Sequence, residues 1–182
     1  MKMKTLISKL ITGLGIALCC LSTAHAQFAP TGTTTVSVTI AAEASLQVDT
    51  ATTTLTSSGI FANYTGSTAL TYKIRTSAST GSGNITLRVT TDFSPAGGPS
   101  VLTPPNGGDT LAYTCTVAAP GTACTGSQTS STTASTPLAT FGAAANSATA
   151  GNSSSVAWTL VNDPAYKTGA YSATVTFTVS AT

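Results

Sequence analysis

The stretch GAYSATVTFTVSAT, residues 169–182, decides the fold class. From Tyr171 onward every second residue (Tyr171, Ala173, Val175, Phe177, Val179, Ala181) is apolar or small, and every residue between them is Ser or Thr. A period of two puts the first set on one face of an extended chain and the second on the other. Thr, Val and Phe also suit a pleated, half-buried surface better than a helix. The segment reads as a strand with one face toward a core, running to Thr182 with no tail, so its edge and its carboxylate are expected to be free.

Working outward, the same period recurs. SVAWTLV (155–161) aligns Val156, Trp158 and Leu160, and NDPAYKTG (162–169) connects it to the last strand. Asn84 to Thr91 turns Ile85, Leu87 and Val89 inward. Ala69 to Thr76 does the same with Leu70, Tyr72 and Ile74 and sends Lys73 and Arg75 to the other side. Nearer the start, TTTVSVTI (33–40) alternates Val36, Val38 and Ile40 with Thr35, Ser37 and Thr39, and AAEASLQVD resumes with Ala44, Leu46 and Val48. ATTTLTSS (51–58), a segment from Thr110 with Leu111, Tyr113 and Cys115 in phase, a piece around Cys124 and PLATF (137–141) complete about nine or ten short strands. SPAGGPSVLTPPNGGD (94–109) holds four prolines and four glycines and reads as an exposed loop, as do residues 126–135 and 142–154. No segment has helical period and no repeat of fixed length is visible. The expected fold is all-β: an antiparallel, immunoglobulin-like β-sandwich with Greek-key character.

The other end of the chain carries a leader. Lys2, Lys4 and Lys9 precede an apolar run from Leu10 to Leu21, and Ala24-His25-Ala26 is a small-x-small cleavage signal, so residues 1–26 read as a signal peptide cut between Ala26 and Gln27. The run is too short to span a bilayer, and no other stretch is apolar enough to do so. Cys19 and Cys20 lack the small preceding residue that lipidation requires, because Leu18 and Cys19 occupy that place. Residues 27–182 then form one β-sandwich domain, with 27–41 as a segment in front of its body.

Without the leader, Lys73, Arg75, Arg88 and Lys167 face Glu43, Asp49, Asp92, Asp109 and Asp163, a net charge of −1. No basic patch remains, which argues against a nucleic-acid partner. Charged residues are only 7% of the chain, too few for a disordered polyelectrolyte, and the β-branched alternation favours folding. Cys115 and Cys124, nine residues apart across Pro120-Gly121, are expected to form a disulfide; metal binding is the alternative, weakened by the lack of a His partner.

Chemistry is conspicuous by its absence. The single His, His25, lies in the leader, so no imidazole remains for base catalysis or metal ligation. The carboxylates are scattered, and there is no Gly-rich phosphate loop or Asp-rich calcium loop. We expect no catalytic residue, no metal and no cofactor. Trp158 reads as a core anchor with a secondary option of ligand contact, and Lys73 with Arg75 as a solvent-facing pair or a small positive site. The Asn63, Asn84 and Asn152 sequons are discounted because the leader looks bacterial. The Thr-x-Thr rows permit an ice-binding reading, but they lie in separate strands without a repeat.

An alternating strand at each end of one antiparallel domain suits a subunit that donates a strand to its neighbour. TTTVSVTI would be the donor, through Val36, Val38 and Ile40, and GAYSATVTFTVSAT one border of the acceptor groove, through Gly169, Tyr171, Val175, Phe177 and Val179. KTGAYSATVTFTV resembles the closing strand of spore coat protein U domains, the subunits of archaic chaperone–usher pili. SVAWTLV resembles their penultimate strand, LAYTCTVAAPGTAC their central strand and hairpin, and TTTVSVTIAAEASLQV their donor segment running into the first body strand. The family's early cysteine is absent, with Leu46 in its place. The resemblance implies a pilin-like subunit of a surface fibre (a fimbrium), secreted through the periplasm. Its implied partners are a periplasmic chaperone, an outer-membrane usher and neighbouring copies of itself or related subunits, and its implied role is adhesion or biofilm formation. The competing expectation is a self-contained secreted β-sandwich acting as a binding or surface-layer module.

Overall fold

The structure is a computed structural model in which residues 32–182 are described. The leader, its cleavage point at Ala26 and Gln27, and the start of the segment 27–41 lie outside the described residues. Contacts divide the chain into Met1–Val38 and Thr39–Thr182. In the first unit residues 32–38 have no regular secondary structure, and Val36 and Val38 are exposed.

The second unit holds ten strands and no helix among the described residues: β1 (Glu43–Val48), β2 (Thr56–Ser57), β3 (Tyr64–Arg75), β4 (Gly83–Ser94), β5 (Leu111–Val117), β6 (Thr122–Ala123), β7 (Gln128–Thr129), β8 (Thr136–Phe141), β9 (Asn152–Leu160) and β10 (Ser172–Ala181). They form two antiparallel sheets packed as a β-sandwich. One runs β1-β3-β9-β5-β7, with β2 also paired to β3, and the other runs β10-β4-β8-β6. β9 pairs with Tyr64–Tyr72 of β3, while β1 and β2 share its opposite edge, β1 along Leu70–Arg75 and β2 along Tyr64–Thr65.

The period-two pattern explains the core. Leu70, Tyr72 and Ile74 of β3, Val156, Trp158 and Leu160 of β9, and Leu111 and Tyr113 of β5 are buried from one sheet. Ile85, Leu87 and Val89 of β4 with Leu138 and Phe141 of β8 meet them from the other. Each such side chain contributes roughly 1.5–3 kcal/mol. Lys73 is exposed and Arg75 lies half-exposed on the outer face, as the alternation requires. Tyr72 packs on Phe141 with ring centroids 5.1 Å apart, and Tyr113 on Trp158 at 5.5 Å. The buried phenols find carbonyls: Tyr113 Oη donates to Pro137 O at 2.8 Å and Tyr72 Oη to Ala118 O at 2.5 Å.

Cys115 and Cys124 are disulfide-bonded, with Cα atoms 5.5 Å apart. The connection they bridge is no hairpin. β5 lies in the first sheet and β6 in the second, so Val117–Thr122 is a corner between sheets and the disulfide staples one sheet to the other. Tyr72 Oη reinforces that corner by also accepting from Gly121 N–H at 3.2 Å.

Four further expectations need correction. TTTVSVTI forms no strand: residues 32–42 pair with nothing in a sheet. ATTTLTSS yields only β2, because Asp49–Leu55 leaves the edge of β3 as a loop, and the polar loop 126–135 contains β7. The last residue is not free. Thr182 N–H donates to Ser82 O at 2.8 Å and its O accepts from Ser77 N–H at 3.0 Å.

A groove along the open edge of the sandwich

Among the described residues β10 has a neighbour on one side only. Its inward residues Ala173, Val175, Phe177, Val179 and Ala181 are half-buried, whereas their partners in register on β4, Val89, Leu87 and Ile85 opposite Val175, Phe177 and Val179, are at most 1% exposed. One edge of the sandwich is therefore incompletely covered. Facing β10, the edge of the first sheet is broken between β1 and β2, and the gap opens into a cavity of about 1000 Å³. Tyr171, Ala173, Val175 and Phe177 line one wall, Val48 and Thr50–Leu55 the other, and Tyr64, Leu111, Trp158 and Leu160 the floor. Gly169 also lines it. Val179 does not, because β1 approaches β10 along part of its length and Ala44 and Leu46 pack there against the core.

Local interactions hold the walls. The loop Asp49–Leu55 is anchored by Asp49 N–H to Ala69 O at 2.9 Å and by Thr53 Oγ1 to Thr68 Oγ1 at 2.6 Å. Trp158 Nε1 donates to the same Thr68 oxygen at 2.8 Å, so the one tryptophan is both core anchor and loop brace. Gly66 permits the close approach, since a Cβ there would lie 2.8 Å from Leu55 Cδ2 and from Thr54 O. At the other wall the Gly-Ala-Tyr signal closes the loop before β10. Tyr171 Oη donates to Lys167 O at 2.8 Å, and its ring covers Gly98, where a Cβ would come within 2.4 Å of ring carbons. At the mouth, Ile60 and Phe61 are 94% and 62% exposed, and Phe61 takes the left-handed φ of 53° that an aromatic residue rarely adopts.

The groove is mostly apolar and hydroxyl-lined, with Asp163 and Lys167 as its charged members. Lys73 and Arg75 do not enter it. Arg75 instead pairs with Glu43 at 2.8 Å on the exposed edge and donates from Nε to Ala41 O. Asn63 and Asn84 are exposed, while Asn152 braces a turn by donating to Ala119 O and accepting from Ala148 N–H.

Sequence reasoning missed two things here. Asn106 donates to both Asp109 and Asp163, which joins residues from distant loops and leaves no local motif. The Asp92 carboxylate, which accepts from Phe93, Val101 and Leu102 N–H and from Ser100 Oγ, organises the Pro/Gly-rich loop from the strand before it. Among the described residues no three metal-ligating side chains cluster, and no helix is long and apolar enough to cross a membrane.

Of the predicted donor residues, Val36 is 90% exposed, Val38 82% and Ile40 65%, a row of apolar side chains in extended sequence register without a sheet. No family model, no curated protein and no solved structure matches the chain.

Proposed function

We propose that the protein is a secreted structural subunit of a surface fibre, polymerised by donor-strand complementation. The observation that carries this reading is the half-buried inward face of β10 beside an unpaired strand edge, in a chain that also exposes an alternating apolar segment. An added strand supplies main-chain hydrogen bonds along the β10 edge and apolar side chains into the groove. The dimensions agree. Ala173, Val175 and Phe177 offer three inward positions over four residue steps, and Val36, Val38 and Ile40 offer three apolar side chains over the same number, each spanning roughly 14 Å at about 3.4 Å per residue.

In this reading the fold is an immunoglobulin-like sandwich with one strand missing, and the missing strand comes from a neighbouring copy or a related subunit. An exposed groove beside a ten-residue unpaired edge is an aggregation hazard, so the monomer needs a periplasmic chaperone and is delivered to an outer-membrane usher. The resemblance to spore coat protein U domains supports the same assignment, with the fibre at the cell surface serving adhesion or biofilm formation. The subunit is structural and not catalytic.

Removing residues 27–41 from the mature chain tests the reading. The shortened chain is expected to stay folded by circular dichroism and to lose all polymer. Failure to fold, in a chain that never polymerised at full length, would instead identify a self-contained sandwich that inserts its own strand.

A further inference from the structure

The groove's end wall carries a polar cluster that strand binding does not use. Asn162, Asp163, Pro164, Tyr166 and Lys167 line that wall. Asp109, 4% exposed, closes the Pro/Gly-rich loop two residues before Leu111 on the groove floor. The two carboxyl groups are brought together across Asn106. Asn106 bridges them, its backbone N–H donating to Asp109 Oδ2 at 3.1 Å and its side-chain amide to Asp163 Oδ2. Ala165 N–H donates to Asp163 Oδ1 at 2.6 Å, and Tyr166 Oη lies buried near both carboxyls with no hydrogen-bond partner. Two carboxylates held on one residue offer each other only acceptors and repel, so joining them requires a proton.

Among the described residues no cation relieves that repulsion. The one ion pair among the described residues is Arg75–Glu43. Lys167 lays its stem over Gly97, and Asp92 is occupied by its own four donors. The titratable groups facing the pair are thus each other and Tyr166.

We propose that Asp109 and Asp163 form a one-proton carboxyl pair that fastens the groove's end wall in acid and releases it as that proton is lost, making access to the groove pH-dependent. The regulatory consequence rests on the groove being a strand-binding site; the fastening itself does not.

The direction of titration agrees. Burial, then the hydrogen bond and charge of Asp163, push Asp109 above the ordinary Asp value. The N–H of Ala165, then Asn106, hold Asp163 below it. Burial and then both carboxylates push Tyr166 up to about 12, so it stays neutral throughout. The contribution of Asp109 is complete below its unfolded value and is lost as pH rises through its raised folded value. That of Asp163 is complete above its unfolded value and is lost as pH falls through its lowered one. The pair is fastened between the two folded values and loosens on the neutral side.

The test uses the full mature chain, carbon-13 labelled, with NMR titration of the carboxyl carbons and amide-exchange protection at Ala165. Asp109 is expected to titrate above an ordinary Asp, and Ala165 to lose about tenfold in protection as pH rises through that point. Asp109→Asn keeps a donor to Asp163 and has no proton to lose, so its protection stays flat. Ordinary titration of both carboxyls in the wild type overturns the proposal, as does a variant that keeps the pH dependence. Recovery of protection at neutral pH by millimolar calcium overturns it in favour of a cation. In the second arm, uptake of a peptide spanning residues 33–41 is expected to quicken several-fold toward neutral pH in wild type only. A titrating pair with pH-independent uptake refutes the regulation. A titrating pair with no uptake at any pH refutes the strand-binding reading and leaves the fastening standing.

Discussion

Val38→Asp separates what holds the sandwich together from what, in the proposed fibre, joins one subunit to the next. Val38 is 82% exposed, so about four-fifths of the burial free energy of a valine, roughly 1.2–2.5 kcal/mol, remains available to a groove. Aspartate forfeits that amount and must also leave water. Entering protonated at about pH 7 costs about three pKa units, or roughly 4 kcal/mol, and entering charged costs at least as much. The sum, roughly 5–6.5 kcal/mol, weakens strand insertion by about 10⁴- to 10⁵-fold. The folded body is expected to keep its urea stability within about 0.5 kcal/mol, because an exposed side chain outside any strand contributes little there. Size-exclusion chromatography with light scattering, on wild-type and variant chains of residues 27–182 refolded at equal concentration, reads the polymer fraction. Ser37→Asp, on the opposite face, is the control and should polymerise nearly as wild type. Equal polymer from wild type and Val38→Asp refutes the reasoning. A large loss of monomer stability also refutes it, by placing Val38 in the fold.

Other perturbations probe the scaffold. Reducing Cys115–Cys124, which closes a nine-residue separation between sheets, should cost roughly 2.5–3 kcal/mol and lower the calorimetric Tm by roughly 5–12 °C; an unchanged Tm would show that the staple contributes nothing. Trp158→Phe removes the donor to Thr68 Oγ1 and leaves a smaller ring, for an expected loss of roughly 2–3 kcal/mol in urea unfolding, with faster amide exchange at Asp49 as the loop brace fails. Burial pushes Asp92 up, but Ser100 Oγ and the N–H groups of Val101, Leu102 and Phe93 outweigh it and hold the carboxyl below the ordinary Asp value. Its stabilising contribution is therefore present above the unfolded value and lost as pH falls through the lowered folded one. Asp92→Asn should lower stability near neutral pH and flatten that acid limb in a pH series of urea melts, and an unaltered limb would assign the acid sensitivity elsewhere.

The long strands were legible because burial acts on alternate residues. Leu70-Tyr72-Ile74, Ile85-Leu87-Val89 and Val156-Trp158-Leu160 each announce a core face, and each is buried. β7 was not, since a two-residue bridge has no period to read, and for the same reason ATTTLTSS overstated the two residues of β2. Pro120-Gly121 signals a turn equally well for a hairpin and for a corner between sheets, so turn chemistry had no means to correct the hairpin that the resemblance implied for the connection that Cys115–Cys124 spans. TTTVSVTI shows the opposite limit. Alternation records that a segment has an apolar face but not whether the surface that covers it belongs to the same molecule. The groove's β10 wall was readable in GAYSATVTFTVSAT, whereas its other wall depends on Asp49–Leu55 leaving the sheet and on Gly66 admitting Leu55, neither of which has a periodic signature.

The most direct measurement is a cross-link between the two apolar rows' polar reverse faces. Thr176→Cys on β10 is combined in turn with Thr35→Cys, Ser37→Cys and Thr39→Cys, so that every inward side chain is kept. Opposed positions on adjacent strands bring Cβ atoms to about 4.5–5.5 Å, within reach of a disulfide. Chains grown in light and heavy isotopes are mixed, assembled and oxidised, and the linked peptides are read by mass spectrometry. Donor-strand assembly predicts light–heavy links from one of the three positions. Links confined to single-isotope pairs, or no link at any position, would contradict it.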